Sequence, residues 1–301
     1  MPSSPTVTGR FAPSPSGPLH AGSLIAAIGS YLSARSQGGH WLLRLEDVDE
    51  GRVRPGAADT ILRQLEALAL DWDGPVQTQA ARKNIYQDAL KALREKGLAY
   101  PCACTRQEIR SFGARYPGTC RQGLAAGRQP RSWRLRVPDV LPSWEDRFHG
   151  RQDTPAPQGD PVLLRADGYF AYVLACVVDD GVQGVSEVVR GGDLLIITGM
   201  QRHLQSALAL PHPQYGHLPL LYNADGSKLS KSADSPPWAG DPSQAWEETL
   251  RLLGWTTPAG LQGASAVEWR DWALMRMAER QPLYRIAATG PHQQTALSWP
   301  S

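Results

Sequence analysis

APSPSGPLHAGS, residues 12–23, lies between a strand-like run, TVTGRF (6–11), and a helix-like one, SLIAAIGSYLSARSQGG (23–39). A turn fixed by Pro and Gly at such a junction aims backbone N–H groups, and the positive end of the next helix, at whatever rests above the sheet edge. That is a natural seat for a phosphate. His20, just before the helix, can donate to a phosphoryl oxygen, and Gly22 lets a nucleotide approach the backbone. Within the helix, apolar positions recur every three to four residues until a Gly pair stops it. Taken alone, the segment also reads as a plain strand–helix turn with a capping histidine.

Outward from it, the pattern of alternating elements continues. HWLLRLEDVD (40–49) is strand-like and ends in acids, and helices are expected over about 56–70 and 80–96, the second stopped by Gly97. Strand–helix–strand order is how a doubly wound parallel sheet begins, so the fold class is α/β. Residues 101–160 break the pattern with three Cys, several Gly and Pro, and no long periodic run, and read as an insertion. Regular text resumes at about 162: YFAYVLACVVDD (169–180) is a strand or a buried helix, and GVSEVVRGGDLLI continues it. Helical patches follow around 243–254 and 266–280, and the tail TGPHQQTALSWPS reads as frayed.

Composition narrows the class. The chain has 301 residues, 42% apolar and 20% charged, which fits a folded protein with an interior to bury. Lys+Arg 31 against Asp+Glu 29 leaves +2, so bulk charge calls for no polyanion. The cations are unevenly chosen: 26 Arg and 5 Lys, with Lys228 and Lys231 together in GSKLSKS (226–232). A Gly-led loop with two Lys among serines suits the charge that develops on a triphosphate in a transition state, although a solvated basic loop is the ordinary alternative. From Arg106 to Arg136 there are eight Arg and one acid, Glu108, a local excess of +7 that could lie along nucleic-acid phosphates. No apolar stretch approaches a membrane span and the first ten residues show no secretory pattern, so the expected compartment is the cytosol.

Three of the four Cys fall within nineteen residues, at 102, 104 and 120, which in a reducing compartment points to a metal more than a disulfide. A structural zinc wants four tetrahedral ligands. No His lies in the stretch, so Tyr116, an acid or water must complete the set around Cys102, Cys104 and Cys120. Cys176, in an apolar run, reads as a core residue.

The P-x-P-S-G-x-L-H-x-G-S element and the K-L-S-K-S element together resemble the paired ATP-binding motifs of class I aminoacyl-tRNA synthetases. Ser23 stands where many members carry His or Asn. GRFAPSPSG (9–17), LLRLEDVD (42–49), FAYVLACVVDD (170–180) and EVVRGGDLL (187–195) resemble the glutamyl-tRNA synthetase catalytic domain at matching intervals. The Cys-x-Cys…Tyr-x-x-x-Cys run resembles the zinc-binding insertion of one subgroup, the glutamyl-Q tRNA(Asp) synthetases, in which Tyr is a ligand. The resemblance covers roughly residues 6–235.

The resemblance implies a Rossmann-type doubly wound parallel sheet split by a zinc-containing insertion, with a short, mostly helical C-terminal region. The expected division is 1–100 and 162–235 for the two catalytic halves, 101–161 for the insertion and connective segment, and 236–301 for the C-terminal region. It places Arg10, Ser14, Glu46, Tyr172 and Arg190 around glutamate, which needs a cation for each carboxylate and an anion for its ammonium. ATP, carried with Mg²⁺, falls to His20, Gly22, Ser23 and Lys231, and His20, Lys228 and Lys231 stabilise charge as pyrophosphate leaves. One structural zinc falls to Cys102, Cys104, Tyr116 and Cys120. The implied reaction activates glutamate without tRNA and transfers it to queuosine in the anticodon of tRNA(Asp). About 70 residues follow the K-L-S-K-S loop, too few for a separate anticodon reader, which agrees with that subgroup. A truncated enzyme charging tRNA(Glu) at its 3′ end and an inactive tRNA-binding paralogue are the alternatives. A monomer with no membrane association is expected.

Overall fold

Nearly every face of helix α1 (Ala21–Arg35) is apolar or small, so it can be hidden only by burial on all sides. The computed structural model describes residues 6–113, 115–153, 159–220, 238, 240–279 and 282–284, and α1 runs through the centre of its larger core. Strands β1 (Thr8–Phe11) and β2 (His40–Leu45) flank α1 in sequence and pair in parallel, Arg10 opposite Leu42. Helix α2 (Ala57–Ala67) leads to the short β3 (Gln77–Thr78), parallel to β2, and α3 (Lys83–Glu95) follows.

The Cys-rich span forms a separate antiparallel sheet in the order β4 (Ala99–Cys102), β5 (Ser132–Leu135), β8 (Val162–Leu164), with the short α4 (Arg106–Ser111) beside it. Strands β6 (Trp144–Asp146) and β7 (Gly150–Gln152) fall inside the span read as an insertion, yet β6 joins a second, mostly parallel sheet. That sheet has the order β7-β6-β10-β9, with β6, β10 (Gln214–Leu218) and β9 (Glu187–Gly191) parallel. Helix α5 (Tyr172–Val182) precedes β9, and α6 (Leu195–Ala207) connects β9 to β10.

The two parallel sheets meet at β1 and β9. The Ser186 N–H donates to the Thr8 carbonyl and the Thr8 N–H to Ser186 Oγ, each at 2.9 Å, and α1 packs across β1, β2, β9 and β10. Gly29 permits this: a Cβ there would fall 2.5 Å from Leu218 Cδ1, so a side chain would force Leu218 or the helix to shift.

The apolar run 169–180, open between strand and helix in the sequence, is helical. Helical spacing turns the adjacent acids Asp179 and Asp180 about 100° apart, and they bond to different neighbours. The C-terminal helices α7 (Pro242–Leu252) and α8 (Ala266–Ala278) start on well-formed caps, Asp241 before Pro242 and the Ser265/Glu268 capping box, and pack on α1. Trp246 and Trp269 are fully buried and donate through Nε1 to Leu68 O and Ser243 Oγ, both at 2.9 Å. An indole buries about 150–250 Å², worth several kcal/mol at ~25 cal/mol/Å². No helix among the described residues is long and apolar enough to cross a membrane.

Candidate active site

Where the loop after β1 meets the end of β2 and the start of α5, a cavity of about 320 Å³ opens, lined among others by Ser14, Glu46, Asp49, Arg52, Arg165 and Tyr172. Two of its lining residues, Arg165 and Asp49, form an ion pair at 2.9 Å. The Glu46 N–H donates to the Pro13 carbonyl at 2.9 Å, tying the end of β2 to the Pro/Ser/Gly turn.

Beneath the cavity lies a charge network. Arg10 on β1 and Arg44 on β2 are both buried, and both bond Asp180 Oδ1, from Nε at 3.2 Å and from Nη1 at 2.8 Å. Arg44 also donates from Nη2 to Glu46 Oε1 at 3.1 Å and from Nη1 to Gln183 Oε1 at 2.6 Å. Burial alone would raise Asp180, but Arg10 and Arg44 outweigh it and hold the carboxyl below its ordinary range. Glu46 goes the other way: burial raises it, and Arg44 and Arg10 offset only part. Asp179, one position along α5, instead accepts from Gln79 Nε2, Arg82 Nε and Tyr86 Oη at 2.8–2.9 Å.

Tyr172 is the first residue of α5. Burial first, then the neighbouring Cys176 and Glu46, push its phenol up against the opposing pull of Arg190 and Arg10, so it stays protonated and offers an O–H donor. The Arg190 guanidinium is buried on β9 and gripped on two edges. Nε donates to His217 Nε2 at 3.1 Å, and Nη2 donates to Thr198 Oγ1 at 2.8 Å and Gln201 Oε1 at 2.5 Å. Nη1 has no hydrogen-bond partner although it is buried, a costly arrangement that a bound carboxylate would relieve.

His20 is the N-cap of α1, and its Nδ1 accepts from the Ser23 N–H at 3.4 Å. Gly22 makes room for that ring, since a Cβ there would lie 3.1 Å from His20 Cε1. Lys228 and Lys231 lie outside the described residues.

The Cys cluster is assembled. The sulfurs of Cys102, Cys104 and Cys120 lie within 4.8 Å of one another, with Tyr116 Oη 3.4 Å from Cys102 Sγ and 3.9 Å from Cys104 Sγ. Burial would raise the Cys102 thiol, but the Tyr116 hydroxyl, the Cys104 N–H and Arg134 bring it down to about 7, while burial and the Cys120 thiol push Cys104 up to about 12. Three thiols and a hydroxyl converging on one point fit zinc.

The basic stretch 106–136 is less bare than its count implies. Arg115 pairs with Asp139, Arg121 with Asp160 and Arg128 with Glu108; Asp139 and Asp160 lie outside the counted window. Arg134 is buried and stacks 3.9 Å over Tyr116, and Arg136 lies over Tyr100 at 5.0 Å. Arg106, Arg110 and Arg131 are exposed.

Sequence reasoning passed over Arg44, Asp180, Asp146 and His217. The signal for the first two was present: an arginine inside the apolar strand LLRL, and an acid pair closing an apolar run. For the other two it was not, because nothing in EDRFH or YGHL marks a polar contact between strands.

A family model described as the catalytic domain of class I tRNA synthetases (E and Q) matches residues 6–278. The glutamyl-Q tRNA(Asp) synthetase of Thiobacillus denitrificans is 49% identical over 277 residues, 88% of this chain and 91% of the relative. That of Dechloromonas aromatica is 51% identical over 277 residues, 88% and 92%. The chain belongs to the glutamyl-Q tRNA(Asp) synthetase family. It is a ligase with the class I tRNA synthetase catalytic fold, an α/β arrangement on parallel sheet. Among solved structures, glutamate-tRNA synthetase from Elizabethkingia anophelis superposes with a TM-score of 0.73 at 25% identity, covering 88% of this chain and 65% of that one. The glutamate tRNA ligase of Elizabethkingia meningosepticum, solved with its amino acid, gives 0.66 at 27%, covering 74% and 51%. This chain thus spans about half to two thirds of those longer synthetases, whereas it covers nine tenths of the two glutamyl-Q relatives.

Proposed function

We propose that this chain activates L-glutamate with ATP, without tRNA, and transfers the glutamyl group to queuosine in the anticodon of tRNA(Asp). The observation that carries the reading is a carboxylate and a phenol, Glu46 and Tyr172, lining one cavity, with the buried guanidiniums of Arg10 and Arg190 both near enough to act on Tyr172.

In this reading Arg10 and Arg190 take the two carboxylates, Glu46 takes the ammonium, and Ser14 and Tyr172 complete the pocket. Held so, an α-carboxylate oxygen attacks the α-phosphorus of ATP and pyrophosphate departs; positioning supplies much of the rate. The N-terminus of α1 with His20, Gly22 and Ser23 faces the phosphates, which arrive with Mg²⁺, and Lys228 and Lys231 stabilise the leaving charge. A hydroxyl of the queuosine cyclopentenediol then attacks the adenylate carbonyl, an ester forms and AMP leaves.

Two assays test this. Glutamate-dependent exchange of pyrophosphate into ATP is expected with no tRNA present; its absence would leave a binding module. Transfer is expected to tRNA(Asp) that carries queuosine but lacks its 3′-terminal adenosine, and to fail with guanosine in place of queuosine. The opposite pattern, or charging of tRNA(Glu), would establish conventional 3′-end aminoacylation instead. Such paired substrates are needed because periodate oxidation opens both the queuosine diol and the terminal ribose.

We further propose that Cys102, Cys104, Tyr116 and Cys120 hold one zinc ion, which cross-links the β4 segment to the loop before β5. Metal analysis of protein prepared without chelator should give about one zinc per chain, and Cys102→Ser with Cys104→Ser should lose it. A metal-free native protein would refute the site.

A further inference from the structure

We infer that Asp146 and His217 act as a positioning pair for Arg190, fixing the imidazole tautomer so that its acceptor nitrogen orients the guanidinium toward the substrate carboxylate. The inference rests on the proposed glutamate pocket, but its direct readout does not need glutamate.

The three residues sit on adjacent parallel strands, β6, β10 and β9, with His217 in register with Arg190. All three are buried. Asp146 Oδ2 lies 2.6 Å from His217 Nδ1, and its Oδ1 accepts from the backbone N–H of Phe148 and His149 at 2.9 and 3.0 Å. On the other side of the ring, Arg190 Nε and Thr198 Oγ1 each lie 3.1 Å from His217 Nε2, with the Thr198 hydroxyl donating to the Leu194 carbonyl at 2.9 Å. Arginine has no acceptor, so its contact requires a lone pair on Nε2, which places the single imidazole proton on Nδ1, donated to Asp146. The groups facing the ring agree. Burial, Arg190 and His149 disfavour a second proton, Asp146 alone favours it, and the balance brings His217 down to about 4. Tyr215 stacks nearly parallel to the imidazole, at 6.2 Å and 9°, and Arg190 lies 5.2 Å over the same Tyr215 ring, so ring and guanidinium share one support.

The consequence is directional. Nε is fixed by His217 and Nη2 by Thr198 and Gln201, so Nη1 is the remaining edge of the fork, and it is the buried nitrogen without a partner. A plain salt bridge from Asp146 to Arg190 would draw the guanidinium away from substrate. An interposed neutral imidazole holds it without neutralising its charge.

Asp146→Asn tests this with almost no change of shape. Its Oδ1 can still accept the Phe148 and His149 N–H groups, but its amide now donates to Nδ1, moving the ring proton to Nε2 and setting N–H against N–H at Arg190. Nitrogen-15 NMR of histidine-labelled protein at neutral pH should show His217 as the Nδ1–H tautomer in the native chain and the Nε2–H tautomer in Asp146→Asn. An Nε2–H tautomer or an imidazolium in the native chain would overturn the inference. In pyrophosphate exchange, Asp146→Asn should raise KM for glutamate about tenfold, with KM for ATP within twofold. His217→Gln, whose Oε1 can still accept from Arg190, should stay within threefold of the native value, whereas His217→Phe should behave like Asp146→Asn. Unchanged glutamate KM in folded Asp146→Asn, or parallel shifts for glutamate and ATP, would reduce the pair to a structural role. If the native chain itself performs no exchange, the glutamate reading fails while the tautomer measurement still decides the pair.

Discussion

Asp180→Asn is expected to cost about 3–5 kcal/mol of folding stability, the usual consequence of removing one member of a buried ion cluster and leaving its partners uncompensated. The Asp180 carboxylate bonds both Arg10 and Arg44, whose side chains are 4% and 0% exposed. Of the acids around Arg44, Glu46 would remain at 3.1 Å and Asp179 at 3.8 Å, but Asp179 is already claimed by Arg82, Gln79 and Tyr86. Two buried guanidiniums would then share little more than Glu46. The native Asp180 is held below the ordinary carboxylate range because Arg10 and Arg44 outweigh its burial, so the network's stability is present at neutral pH and declines as acid protonates the carboxyl. Urea unfolding of Asp180→Asn beside Asp167→Asn provides the comparison. The Asp167–Arg165 pair has similar geometry, 2.6 Å, but both side chains are 37% exposed, and its loss should cost about 1 kcal/mol or less. Equal effects at the two positions would show that burial of the Asp180 network contributes nothing.

That network also explains what was legible in the sequence and what was not. The helices α1, α2 and α3, and the Gly stops of the first and third, were readable because each depends on neighbours within a turn or two. The choice between strand and helix at 169–180 was not, because a short, continuously apolar run satisfies both. The structure decides it through residues far away in sequence: Arg10 and Arg44 for Asp180, Arg82 and Tyr86 for Asp179. The +7 assigned to 106–136 overstated the patch for the same reason, since Asp139 and Asp160 lie outside the window but beside Arg115 and Arg121. Of the expected glutamate residues, Ser14, Glu46 and Tyr172 line the cavity itself, while Arg10 and Arg190 are buried and act electrostatically on Tyr172. Of their supports, Asp146 and His217 carry no local mark because each acts across strands, whereas Asp180 is marked only by the acid pair that closes an apolar run.

Arg190→Lys should lower kcat/KM for glutamate by about 10²–10³-fold, which is ~3–4 kcal/mol of lost transition-state interaction. Charge is kept, so if a positive charge were all that glutamate requires, the loss would be small. The guanidinium is held at fixed angles, Nε by His217 and Nη2 by Thr198 and Gln201, with a longer contact from Nη2 to the Leu194 carbonyl. An ammonium is a single point on a flexible stem and cannot hold those contacts while offering a further N–H edge to a carboxylate. It would settle among His217, Thr198 and Gln201 and withdraw from the pocket. Lysine, unlike arginine, can also shed its proton when buried, which would remove the charge as well. The loss should therefore appear in the glutamate dependence of pyrophosphate exchange, with KM for ATP within about twofold, since the turn at His20 and Gly22 that we propose for ATP lies on a different strand–helix junction. Near-native glutamate kinetics in Arg190→Lys would mean that charge without direction suffices, and the role given to the arginine fork would be wrong.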